Sequence, residues 1–185
     1  MSVLTPASRT APDDVPSGIG SIAVLTLLVV LLQISLLPFI RIFDGIPDLV
    51  IALTVSVALM RGPIYGAVVG FVAGLLIELL APVGTLGVLA VIYMSLGAFC
   101  GRYCGRPEAS GLVAPIGLIV ACAGITQVAY AAVLVSLGAP FSFPTFIGRV
   151  LLAQMVLTAL LSPPMLLLVR KVLKQPVLVE PGAGA

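Results

Sequence analysis

The chain has 185 residues, of which 61% are hydrophobic and 9% charged, with a mean hydropathy of +1.28. Soluble domains carry about a quarter charged residues, so this composition excludes a water-facing surface and places the chain in a lipid bilayer. The formal net charge of +2 gives no electrostatic footprint for nucleic acid, and the absence of histidine removes the commonest general base and metal ligand.

Residues 1–18 hold Arg9, Asp13, Asp14 and three prolines and are expected to form a disordered polar tail. Six apolar segments follow, at 19–40, 47–60, 63–80, 84–101, 111–137 and 147–170, and 175–185 is a second loose tail. A spanning helix needs about 20 apolar residues to cross roughly 30 Å of hydrocarbon. The segment 47–60 rises only about 21 Å. The positive charges decide whether it crosses. With six spans and both termini cytoplasmic, the inner segments hold Arg9, Arg61, Arg102, Arg106, Arg170, Lys171 and Lys174, against Arg41 and Arg149 outside. That is the bias of the positive-inside rule, and omitting the second span would reverse it. The predicted fold is an all-α polytopic bundle of six transmembrane helices, its short second helix sheltered by neighbours or by local thinning of the bilayer.

Pro47-Asp48 opens the second helix. Proline suits a first helical turn, where its missing N–H would be unbonded, and Asp48 lies near the positive end of the helix dipole. The third segment, RGPIYGAVVGFVAGLLIE, places glycine at 62, 66, 70 and 74, with Glu78 at the next step of four. Helices in lipid associate by close packing, which small residues four apart permit, so Gly62, Gly66, Gly70, Gly74 and Glu78 are read as a helix-packing or partner interface. The strip winds about 40° per step, which carries Gly62 away from Glu78. Glu78 is the one carboxylate well inside an apolar segment, and intramembrane acids are functional-site candidates. Three roles stay open for it: a structural ion pair with Arg41 or Arg149, a contact to another subunit, or a proton or ion site.

Cys100, Cys104 and Cys122 lack the further ligands of a metal site and are read as reduced packing residues. Gln33, Gln127 and Gln154 are polar groups within spans, suited to interhelical hydrogen bonds. Pro163 and Pro164 are expected to kink the sixth helix. The basic run at Arg170, Lys171 and Lys174 is an orientation anchor, with fewer charges than a lipid-recognition motif carries.

Ile46-Pro47-Asp48-Leu49, then LMRGPIYGAVVGFVAGLLIELL, then Thr85-Leu86-Gly87-Val88-Leu89-Ala90 with a helix ending GAFCGR, and the closing TALLSPPMLLLVRKVL, resemble the rod shape-determining protein MreD family. The resemblance covers roughly 40–175 and is most specific at 47–106, although the family often has aspartate at the position of Glu78. It implies a multi-pass subunit of the bacterial cytoplasmic (inner) membrane that organises peptidoglycan synthesis with MreC, the MreB cytoskeleton, the RodA glycan polymerase and its class B penicillin-binding transpeptidase. Chemistry would be done by those partners, with no cofactor. The resemblance also implies a fold similar to the six-helix S-components of vitamin transporters.

The missing catalytic constellation and short loops fit such a scaffold. The MreC transmembrane helix is expected to dock on the Gly66–Gly74 strip. A substrate-binding subunit of a vitamin-type transporter is the alternative, drawing on Arg41, Asp44, Asp48, Glu78, Ser142, Thr145 and Arg149. A Glu78-dependent channel or transporter would show more intramembrane ionisable groups than this chain has.

Overall fold

The computed structural model describes residues 19–35, 45–81, 87–105, 113–138 and 150–173. Both predicted tails, Arg41, Asp44, Ser142, Thr145 and Arg149 lie outside them. Six helices make up the described chain: α1 Ile19–Ser35, α2 Leu49–Arg61, α3 Pro63–Leu80, α4 Val88–Gly101, α5 Val113–Ser136 and α6 Leu152–Leu173. No β-strand occurs among the described residues. Of the six, α3, α5 and α6 are long and apolar enough to cross a membrane, whereas α1, α2 and α4 are apolar but shorter.

Local chemistry sets several helix ends differently from the sequence reading. Helix α2 begins at Leu49 with Asp48 as its cap, so Pro47 precedes the cap and does not occupy the first turn. Helix α4 begins only at Val88, after Gly87 in the left-handed conformation (φ 94°). Helix α6 runs unbroken from Leu152 to Leu173 with Pro163 and Pro164 inside it. The prolines leave the carbonyls of Ala159 and Leu160 without their usual helical donors.

Helix α2 is the axis of the bundle and packs against all five others. Every residue from Leu49 to Leu59 is buried, as expected of a helix that is hydrophobic all round. A helix enclosed by its neighbours has no lipid face, so its 13 residues need not match the thickness of the hydrocarbon. Outward-facing positions are apolar too: Val24, Leu28, Val68, Val91, Ile125, Val156 and Leu160 are exposed. Apolar surface of this extent suits contact with hydrocarbon or with a partner's helices.

Hydroxyls within the helices bond to their own backbones. Thr26, Ser56, Thr126 and Ser162 each donate to the carbonyl four residues earlier, a local solution that hides a polar group in an apolar setting.

Candidate functional site

The glycine strip seats α4. A methyl group built on Gly66 would lie 2.5 Å from the Gly97 carbonyl oxygen and from the Ala58 Cβ; one on Gly74 would lie 2.6 Å from the Ala90 Cα; one on Gly70 would strike the Tyr93 carbonyl. The order Gly66–Gly97, Gly70–Tyr93, Gly74–Ala90 shows that α3 and α4 run antiparallel. At the end of this seam Gly101 rests on Gly62 and Pro63. The sequence expectation of a partner helix docked on Gly66–Gly74 is therefore corrected: the chain's own fourth helix fills the strip. Gly62, met there by Gly101, does not seat α4 through its own missing side chain. With φ 94° and nothing within 4 Å of an added Cβ, it forms the turn between α2 and α3, and Pro63 takes the first helical position.

The complementary strip on α4, Ala90, Tyr93, Gly97 and Gly101, is missing from the sequence reading. Its signal is the four-residue spacing in GAFCG.

Glu78 is buried at the end of this seam, and both its oxygens are engaged. Oε2 accepts from the Gly87 N–H and Oε1 from the Leu89 N–H, each at 2.7 Å. These are amides at the start of α4, which no side chain of Gly87 can cap. A carboxylate there satisfies two orphan donors and meets the positive end of the helix dipole. The partners considered from sequence, Arg41 and Arg149, fall outside the described residues.

Asp48 anchors a second buried junction. Its Oδ1 accepts from the Ile51 N–H at 3.0 Å, closing the α2 cap, and from Gln33 Nε2 at 3.4 Å. The Tyr93 hydroxyl donates to Oδ2 at 2.6 Å. The Asp48 N–H donates to Thr158 Oγ1 at 3.0 Å, and the Val50 N–H to Gln33 Oε1 at 2.9 Å. One aspartate and its adjoining backbone thus tie α1, α2, α4 and α6 together. Tyr93 also belongs to the glycine seam, so the junction and the seam share a residue.

Gln127 on α5 donates to Gln154 on α6, which gives both glutamines interhelical partners. Cys100 and Cys122 are buried with their sulfurs 3.4 Å apart across α4 and α5, Cys104 is half-buried, and none of the three forms a disulfide. Among the described residues no group of three or more His, Cys, Asp or Glu could hold a metal ion. The arrangement fixes helices relative to one another; it presents no nucleophile–base pair in the positions described.

No protein-family model, curated protein or solved structure matches the chain.

Proposed function

We propose that this chain is a non-enzymatic, six-crossing subunit of the bacterial cell-elongation complex, of the MreD type, that helps maintain rod shape by organising peptidoglycan synthesis. Its termini are cytoplasmic, and its partners are MreC, the MreB cytoskeleton, RodA and the associated transpeptidase. One observation carries this reading. The segment with the most specific resemblance, 47–106, spans the α2–α3–α4 unit, and five of its described motif residues serve the packing of that unit. Asp48 caps a helix, Gly66, Gly70 and Gly74 seat its neighbour, and Glu78 holds the next helix start. A block devoted to architecture suits a protein that acts by presenting helix faces to partners. Because the glycine strip is filled from within, partner helices must meet outward faces such as that of Val68, Val72 and Leu79 on α3.

Depletion of the protein in a rod-shaped host tests this function. Rounding of the cells is expected; unchanged shape together with loss of uptake of a nutrient would overturn it in favour of a transporter subunit.

A further inference from the structure

The charges of the described chain are segregated along the bundle axis. Helix α3 runs antiparallel to α4, and Gly101 meets Gly62 and Pro63, so Arg61 and Arg102 share one end. Gly45 abuts Ala153 and Gln154, and Asp48 bonds to Thr158, so α2 and α6 run in parallel. Arg61 and Lys171 lie the same helical distance, about 20 Å, beyond that hydrogen bond. Every lysine and arginine among the described residues, namely Arg61, Arg102, Arg170 and Lys171, is thereby brought to one end. Both described carboxylates, Asp48 and Glu78, are at the other.

Within this end, Arg61 is half-buried, and its Nε is shielded from solvent with no hydrogen-bond partner among the described residues. A buried guanidinium donor left unpaired costs free energy and calls for an acceptor. Next to it in the chain, the N-terminus of α3 has no side-chain cap from Gly62, and Ile64 in the first turn is exposed. Amides of an uncapped helix start favour an anion. Arg102 and Lys171 are exposed at the same end of the bundle. The sequence alone places only three charges in the last basic run; the fold brings Arg61 and Arg102 from other helices to the same end as Arg170 and Lys171.

We propose that this end binds the phosphate of an anionic lipid headgroup, held by Arg61, with Arg102 and Lys171 adding positive charge at the same end. The occupant is a lipid because the cations stand at the ends of helices apolar enough to cross a membrane, which is where headgroup phosphates lie. The guanidinium matches a phosphate with two parallel hydrogen bonds.

The test uses the full chain purified in a neutral detergent, with its thermal midpoint followed while phosphatidylglycerol, phosphatidylcholine or inorganic phosphate is added. Only phosphatidylglycerol is expected to raise the midpoint, and the rise is expected to shrink at high salt. Each charge removed is expected to weaken binding about five-fold, so R61Q should lose that factor and R61Q/R102Q/K171Q about a hundred-fold. Should the triple variant fail to fold, R61K and the salt dependence of the unaltered chain decide the matter; R61K should bind more weakly because it lacks the forked donor. Equal stabilisation by phosphatidylcholine or by inorganic phosphate would overturn the proposal, as would a phosphatidylglycerol response unchanged in the variants or insensitive to salt.

Discussion

Gly66 and Gly97 meet backbone to backbone: a methyl group built on either residue would run into the carbonyl of the other. This contact lies in a seam that also joins Gly70 to Tyr93 and Gly74 to Ala90. In lipid, where no water-driven collapse pushes helices together, such close approach supplies the packing that holds a pair.

Alanine at these positions is therefore expected to destabilise the bundle. Gly70→Ala and Gly97→Ala each force backbone apart, and overpacking of this kind costs about 1–3 kcal/mol. Gly117, on α5, has nothing within 4 Å of an added Cβ, so Gly117→Ala is expected to be neutral or to stabilise through helix propensity by up to about 1 kcal/mol. Thermal or chemical unfolding in micelles distinguishes the two classes.

Glu78→Ala removes both acceptors from the Gly87 and Leu89 amides. Buried donors left unpaired cost about 1–3 kcal/mol, and amide hydrogen exchange should quicken in the first turn of α4. Glu78→Asp keeps the charge on a shorter arm and is expected to fall between Ala and the native residue. A charge-swapped pair with Arg41 or Arg149 is not expected to restore stability, because the acceptors would still be missing. Recovery in that double variant would return the ion-pair reading.

Tyr93→Phe deletes the hydroxyl that donates to Asp48 Oδ2 and is expected to cost about 1–3 kcal/mol. Asp48→Asn retains a good capping group and should be milder than Asp48→Ala, which loses both the cap and the junction. A double-variant cycle between Tyr93→Phe and Asp48→Asn is expected to give a coupling energy of about 0.5–3 kcal/mol, since the two residues touch.

Thiol labelling of the folded chain should reach Cys104 first, because it is half-buried while Cys100 and Cys122 are enclosed at 0% and 2% exposure. Labelling of the buried pair is expected only on unfolding. Mass spectrometry of maleimide adducts at increasing denaturant reads the order.

The positions of the helices are legible in the sequence because lipid demands long apolar runs, and α3 falls at 63–80 as read. Helix starts are less so. The opening of α4 at Val88 depends on a positive-φ glycine and on a carboxylate from the preceding helix, neither of which leaves a local pattern at 84–88. Spacing of four exposes the glycine ladder, but spacing alone names no neighbour, and a helix from outside the chain would satisfy it as well as α4 does. Asp48 can be read as a capping residue from Pro47-Asp48. Its partners Gln33, Tyr93 and Thr158 come from three other helices, and no periodicity along one segment announces contacts made by folding.

Substituted-cysteine labelling tests the architecture most directly. In a chain with Cys100, Cys104 and Cys122 replaced by alanine, single cysteines at Ala81, Arg102 and Lys171 are exposed to a membrane-impermeant maleimide in intact cells. Ala81→Cys is expected to react from outside, and Arg102→Cys and Lys171→Cys only after the membrane is opened. Reaction of Arg102→Cys or Lys171→Cys in intact cells would contradict the six-crossing account.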